Sequence, residues 1–130
     1  MSQIKRKSIS KKTREAVWNK YGHHCAYCGC ELEYKDMVVD HFIPVFQEHF
    51  KKYSAEEIES ESNYIPSCRM CNYYKRARGI ESMRKDIEHL YKQLDRSFDY
   101  RLAKKYGLLN ETPHKVKFYF EVFEEERDDV

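Results

Sequence analysis

The chain has 130 residues, which is enough for one domain with an appended arm but not for two independent cores. Hydrophobic residues make up 41% and charged residues 35% of the sequence, and this composition excludes a wholly disordered or collagen-like chain. Apolar runs are short and the N-terminal segment is basic and polar, so we expect neither a membrane span nor a secretory signal. These features predict a cytoplasmic protein whose cysteines stay reduced.

The formal net charge of +2 conceals a separation of charge along the chain. Basic residues predominate in residues 5–14 and again in residues 67–105, whereas acidic residues predominate in residues 31–61 and at the C-terminal end. A basic segment attracts a polyanion such as nucleic acid, and an acidic segment repels it. We therefore expect only the two basic segments to face nucleic acid.

The first elements that the sequence predicts are a helix and a strand. Ser10 is a suitable N-cap for a short amphipathic helix that stops at Gly22. Residues 37–43 are rich in apolar and β-branched side chains, a composition typical of a strand. This strand would carry Asp40 and His41 near its end.

Farther along the chain, the pattern is mainly helical. Ser54 and Glu57 have the spacing of a capping box, and the second cysteine pair precedes another helix. Apolar residues in steps of three and four predict a long helix over residues 80–98, in a stretch that ends at Gly107. Residues 116–122 alternate between apolar and polar side chains, which predicts a half-buried C-terminal strand.

The cysteines form two pairs with the spacing of a metal site. Cys25 and Cys28 form one Cys-x-x-Cys turn, and Cys68 and Cys71 form the other. Four thiolates from two such turns complete a closed tetrahedral shell around zinc, which makes the site structural. A redox-active pair would need a βαβ setting that the sequence does not show. Cys30 is interpreted as a small buried or free thiol, because a one-residue spacer strains a ligand turn. Its replacement of Cys25 or Cys28 as a ligand is the alternative.

The residues between and after the cysteine pairs suit metal-assisted phosphodiester hydrolysis. That reaction needs a base to activate water and a hard cation to neutralise charge on the phosphate. His41 is the natural proton acceptor near neutral pH, while Asp40 and Asn72 offer oxygen ligands suited to Mg²⁺ or Mn²⁺. The structural alternative is that Asp40 caps a turn, His41 is a core histidine and the asparagines close helix ends.

This order of residues resembles the HNH endonuclease family, also called the ββα-metal or His-Me finger nucleases, in its zinc-containing branch with four cysteine ligands. The resemblance covers about half of the chain, and it rests on three motifs: Trp18-x-x-Tyr21-Gly22-x-x-Cys25-x-Tyr27-Cys28-Gly29, Val39-Asp40-His41-x-x-Pro44, and Asn63-x-x-Pro66-Ser67-Cys68-x-x-Cys71-Asn72-x-x-Lys75. The family resemblance implies a small α+β fold, a ββα-metal core stapled by zinc, with flanking helices and a C-terminal strand.

The resemblance also implies a role for each matching residue. His41 would be the general base, Asp40 and Asn72 would hold the catalytic cation, and Asn63 would orient His41 through hydrogen bonds. Two features depart from the common family pattern. Asn72 stands where many members have His, which favours Mg²⁺ or Mn²⁺ over softer metals, and 21 residues separate His41 from Asn63, more than the short loop typical of the family.

The expected substrate is DNA, held through its phosphates by Lys75, Arg76 and Arg78 and by the basic arm. A structural salt bridge is the alternative role of Lys75. The predicted organisation is a basic arm over residues 1–9, a nuclease core over residues 10–80, and an extension of the same domain over residues 81–130.

A second interpretation of the whole chain is a catalytically silent module of the same fold, which binds nucleic acid or a partner protein. Two segments are candidates for a homodimer or protein contact: the insert of residues 45–62 and the apolar stripe of residues 80–98. Packing of that stripe on its own domain is the simpler expectation.

Overall fold

A computed structural model of the protein describes residues 8–44 and 53–128, which fall into two compact units. The first unit comprises the described residues up to Gly79 together with those from Lys117 onward, and the second comprises residues Ile80–Val116. The cysteines and the predicted catalytic residues all belong to the first unit. No helix in the described ranges is long and apolar enough to cross a membrane.

Helix α1, Lys11–Asn19, begins as the sequence predicts. The Ser10 side chain accepts a hydrogen bond from the Thr13 amide at 3.1 Å, and the fully buried Val17 anchors the helix in the core. The chain then turns through Gly22, whose φ of 61° is a conformation that glycine adopts without strain. This turn directs the chain into the first cysteine pair.

Two short strands form the sheet that positions the site. Strand β1, Val38–His41, pairs antiparallel with β2, Tyr64–Ser67, so that Asp40 lies opposite Ile65 and His41 lies opposite Tyr64. Helix α3, Arg69–Lys75, follows β2 directly and begins at Cys68. The predicted α+β class, with two strands followed by a helix at its centre, is therefore confirmed.

The segment that joins β1 to β2 is the long insert of the sequence analysis. Residues 45–52 of this insert lie outside the described residues. The remainder contains helix α2, Ala55–Ile58, which has the predicted capping box between Ser54 and Glu57. Helix α2 ends at Glu59, and the fully buried Ile58 fixes it on the core.

The predicted C-terminal strand is wrong, because residues 119–128 form helix α7, Tyr119–Asp128. The first two residues of this helix make strand-like backbone contacts. The amides of Tyr119 and Phe120 donate to the carbonyls of Tyr27 and Ala26 at 3.0 and 2.8 Å. The Glu121 carboxylate then accepts from the Phe118 amide at 2.9 Å, which caps the first helical turn. The alternating aromatic residues therefore lie at the start of α7 and do not form a longer strand. Phe118 is buried there, and its ring stacks with that of Phe120.

The second unit contains three helices, α4 (Ile80–Glu88), α5 (Leu90–Leu94) and α6 (Phe98–Lys105). The single helix predicted over residues 80–98 is thus interrupted at His89 and again before Ser97, which caps α6. The apolar stripe is only partly covered, because Met83 is fully buried whereas Phe98 is 67% exposed. The predicted end at Gly107 is confirmed, since this residue has a φ of 73° just beyond α6.

Candidate active site and metal centre

The cysteines converge where the first turn meets the N-terminus of α3. The Cys25 amide donates to the Cys30 carbonyl at 2.8 Å, which closes the first turn, and the Cys68 amide donates to the Cys25 sulfur at 3.3 Å. The sulfur atoms of Cys25, Cys28, Cys30 and Cys68 all lie within 4.8 Å of one another. Cys71 belongs to the same cluster, because its thiol hydrogen-bonds the Cys25 sulfur.

This geometry fits a zinc ion. Zinc–sulfur bonds of about 2.3 Å in a tetrahedron place neighbouring sulfurs about 3.8 Å apart, and the sulfurs of Cys28 and Cys68 are 3.9 Å apart. The thiol of Cys71 donates to the Cys25 sulfur, which lowers the pKa of Cys25 and raises the pKa of Cys71. The two sulfurs thus share one proton, which zinc would displace on binding both as thiolates. The structure adds Cys30 to the cluster, so that five thiols surround a site that needs four ligands.

Asp40 lies in a buried ion pair beside this cluster. Its Oδ2 atom accepts hydrogen bonds from the Tyr27 hydroxyl and from the Lys75 ammonium, the latter at 3.1 Å. The ammonium also donates to the His41 carbonyl at 3.0 Å. Burial, and then the charge of Asp40, raise the pKa of Tyr27 far above that of a free tyrosine, so its hydroxyl remains a donor.

The burial of Lys75 corrects the expectation that it contacts a DNA phosphate. Its side chain is 0% exposed, and its ammonium is directed inward at Asp40 and the His41 carbonyl. The alternative salt bridge is the arrangement that the structure shows. Lys75 thus ties α3 to the end of β1.

His41 lies in a second buried hydrogen-bond network. Its Nε2 atom is 3.0 Å from Oε1 of Glu59, and the Tyr64 hydroxyl donates to Oε2 of the same carboxylate at 3.0 Å. His41 and Glu59 are 8% and 9% exposed. Burial and the bond to Glu59 raise the pKa of Tyr64 to about 12, so this hydroxyl is also a donor at neutral pH. Glu59 therefore bonds Nε2 of His41 and leaves the other ring nitrogen, Nδ1, outside this hydrogen bond.

Asn63 holds the backbone that follows His41. Its side-chain oxygen accepts from the Ile43 amide at 2.8 Å, and its side-chain nitrogen donates to the carbonyls of Ile43 and Ile58 at 3.1 and 2.8 Å. Its own carbonyl accepts from the Phe42 amide at 2.9 Å. One amide side chain therefore joins the backbone just beyond β1 to the end of α2. The role that the family resemblance implies for Asn63, orienting His41, stays a prediction.

The remaining predicted site residues lie on or just beyond α3. Asn72 is half-buried in the middle of the helix. Arg76 is exposed, and its guanidinium lies 5.4 Å from the centre of the Tyr73 ring. Arg78 donates to the carbonyls of Tyr74 and Lys75 and lies over the Tyr74 ring. Arg78 therefore stabilises the C-terminal end of α3, and Arg76 is the more accessible of the two cations.

Glu59 is a site residue that the sequence analysis missed. It lies 18 positions from His41, within an insert that the sequence analysis named only as a candidate protein contact. The capping box at Ser54 was the one available signal, and it marks only where α2 begins, four residues before the end of the helix at Ile58. The sequence spacing of Glu59 and His41 did not indicate that the two side chains would be in contact.

Comparison with known proteins agrees with these motifs. The family model described as HNH endonuclease matches residues 25–78, a segment that contains both cysteine pairs, both strands and α3. Neither a curated protein nor a solved structure matches the chain. Residues 25–78 are therefore an HNH endonuclease domain, in a variant whose clustered cysteines fit a zinc-binding site.

Proposed function

We propose that this protein is a metal-dependent endonuclease that hydrolyses DNA phosphodiester bonds, with His41 as the general base. The observation that carries this proposal is the hydrogen bond from His41 Nε2 to Glu59, at the end of the strand that also presents Asp40. A carboxylate on one ring nitrogen fixes the tautomer of a neutral imidazole and leaves the lone pair on the other nitrogen. Nδ1 of His41 would then take the proton of the attacking water.

Glu59 would act as a positioning residue for His41. Its second oxygen is held by the Tyr64 hydroxyl, and Tyr64 is also the register partner of His41 across the two strands. The Tyr64 ring contacts the His41 ring edge-on, with centroids 5.3 Å apart. The imidazole is therefore fixed on one side by a carboxylate and on another by an aromatic ring, which suits a base that must be aligned before the substrate binds.

The residues that would hold the catalytic cation are Asp40 and Asn72, and the ion would be Mg²⁺ or Mn²⁺. Carboxylate and amide oxygens are the hard ligands that these ions prefer. The bound cation would neutralise charge on the phosphate and on the leaving oxygen. Asp40 already shares its Oδ2 atom with Tyr27 and Lys75, so its other oxygen is the one that remains for an ion.

The structural zinc would be held by Cys25, Cys28, Cys68 and Cys71, as two Cys-x-x-Cys turns suggest. Cys30 would be a fifth thiol outside the shell. A closed shell has no open position for water, so zinc would join the first turn to α3 without taking part in the chemistry. DNA would be bound through its phosphates, with Arg76 as the exposed cation beside the site.

The decisive experiment is cleavage of supercoiled plasmid by zinc-loaded protein in metal-free buffer, with Mg²⁺ or Mn²⁺ then added. We expect nicked or linear products with either ion and none without them. His41→Ala should abolish cleavage while the protein stays folded with wild-type zinc content; its melting temperature should fall, because the buried Glu59 carboxylate loses a partner. His114→Ala is the matched control, because His114 is exposed and its ring contacts only the nearby Thr112 carbonyl among the described residues.

A catalytically silent module is the second candidate function, and one observation favours it. Lys75 neutralises Asp40 in a buried pair, and His41 is largely covered, so both side chains already have partners. This function predicts salt-dependent DNA binding without any ion-dependent cleavage. Cleavage that disappears in His41→Ala would exclude it.

A further inference from the structure

We propose that the outward face of α3 is a stacking surface for unpaired bases, so that the preferred substrate is single-stranded or locally unpaired DNA. This inference rests on the proposed DNA endonuclease function and names its substrate class. The face consists of Arg69, Met70, Tyr73 and Arg76.

The first observation is the exposure of two large side chains on the helix that carries the site. Met70 is 80% exposed and Tyr73 is 73% exposed. They are three positions apart, so they are neighbours on one face of α3. The Arg76 guanidinium lies over the Tyr73 ring, 5.4 Å from its centre.

The second observation is the charge around these side chains. Arg69 and Arg76 flank them and are both exposed. No acidic residue occurs between Glu61 and Glu81. A tyrosine ring with an arginine beside it, in a segment without acidic residues, binds a polyanion that also presents aromatic faces. Nucleic acid has both properties.

Unpaired bases fit this face better than a base-paired duplex. Within a duplex, the faces of each base are covered by the neighbouring base pairs, and only the base edges and the phosphates are accessible. The Met70 side chain offers no hydrogen-bond donor to a base edge. The Tyr73 ring instead offers a flat surface on which an unstacked base can stack, and the flexible Met70 side chain adds apolar contact beside it.

The same helix links this face to the candidate active site. The inward side of α3 holds Lys75 on Asp40 and on the His41 carbonyl. A strand whose bases stack on Tyr73 and whose phosphates contact Arg76 would therefore be separated from the residues proposed for cleavage by the width of this one helix, about 10 Å. Stacking would hold the strand without reading its sequence.

The test is fluorescence anisotropy with three labelled DNA probes: a mixed-sequence single strand, a duplex with a central unpaired bubble, and the fully paired duplex. Zinc-loaded His41→Ala protein without Mg²⁺ keeps the probes intact, so binding is measured separately from cleavage. We expect the first two probes to bind about tenfold more tightly than the paired duplex at the same salt concentration.

Tyr73→Ser should weaken binding of the single strand about tenfold, and Met70→Ser should weaken it by a smaller factor. Tyr106→Ser and Leu108→Ser are matched controls, because these residues are 75% and 81% exposed but lie in the second unit. Both control variants should bind like the parent protein.

Equal affinity for all three probes would overturn the inference, as would equal effects of Tyr73→Ser and Tyr106→Ser. A protein that nicks paired plasmid with no dependence on Tyr73 would retain the proposed function and lose this inference. A protein that binds single strands through Tyr73 but never cleaves DNA would retain the stacking surface and lose the proposed nuclease activity.

Discussion

Replacement of Lys75 by methionine tests the buried ion pair that joins α3 to β1. Methionine keeps most of the aliphatic volume of lysine but removes the ammonium, which bonds Oδ2 of Asp40 at 3.1 Å and the His41 carbonyl at 3.0 Å. The Asp40 carboxylate would remain 7% exposed, with the Tyr27 hydroxyl as its donor. The variant therefore leaves a buried charge without its counter-charge.

The expected cost follows from that uncompensated charge. Removal of one partner of a buried ion pair typically destabilises a protein by about 3–5 kcal/mol. Because Tyr27 still donates a hydrogen bond to Asp40, we expect a destabilisation near the lower end of this range, at about 3 kcal/mol. For a chain of this size, such a loss corresponds to a fall in melting temperature of about 10 °C.

Urea and thermal unfolding of zinc-loaded protein, followed by circular dichroism, would measure this loss. Lys117→Met is the matched control: Lys117 pairs with Glu125 at 3.0 Å, but its side chain is 61% exposed, so we expect a change below about 1 kcal/mol. The double variant Asp40→Asn/Lys75→Met should recover much of the loss, because it removes both charges. If Lys75→Met lowers the free energy of unfolding no more than Lys117→Met does, the inference that the Lys75–Asp40 pair stabilises the fold is refuted.

Three further predictions concern the cysteine cluster, the proposed positioning of His41 and the buried Tyr64. Cys71→Ser should lose zinc and Cys30→Ser should keep about one ion per chain by elemental analysis; the opposite result would assign the fourth ligand to Cys30. Glu59→Gln should lower kcat about tenfold or more with KM unchanged, and ¹⁵N NMR of His41 should show a changed tautomer population. A wild-type tautomer population in this variant would contradict the positioning role of Glu59. Because the folded state raises the pKa of Tyr64 to about 12, its contribution to stability is complete below pH 10 and is lost as the pH rises from about 10 to 12. The melting temperature should therefore fall over this range, and by less in Tyr64→Phe.

The sequence was sufficient to predict the elements whose signals are local. Ser10 caps α1, Ser54 and Glu57 form their capping box, and α3 begins at the second cysteine pair. Each of these signals depends on residues within a few positions of one another, so a single pattern determines the local backbone. The cysteine spacing is a stronger signal, because two pairs that share one ion would have to meet in the fold, and the structure brings Cys68 to within 4.8 Å of Cys25 and Cys28.

The features that the sequence did not predict depend on long-range contacts. The alternation over residues 116–122 was interpreted as a strand, but a strand needs a partner strand along its length. The strand-like backbone bonds of this segment to Tyr27 and Ala26 come from Tyr119 and Phe120, which are already the first two residues of α7. Lys75 was expected to contact a DNA phosphate, with a structural salt bridge as the alternative, and the sequence did not indicate which acidic residue would be its partner. Its partner, Asp40, lies 35 positions earlier in the chain, and only the packing of α3 on β1 brings the two together.

The Lys75–Asp40 pair also bears on how a catalytic cation could bind. Asp40 and Lys75 together carry no net charge, so the site attracts a divalent ion less strongly than an isolated carboxylate would. A DNA phosphate would supply the missing negative charge, and Mg²⁺ commonly binds through one or two carboxylates together with phosphate oxygens. We therefore expect Mn²⁺ to bind weakly to the free protein and at least tenfold more tightly when uncleaved single-stranded DNA is bound to His41→Ala. Electron paramagnetic resonance of Mn²⁺ would measure both affinities, and equal affinities would show that Lys75 does not limit the binding of the ion.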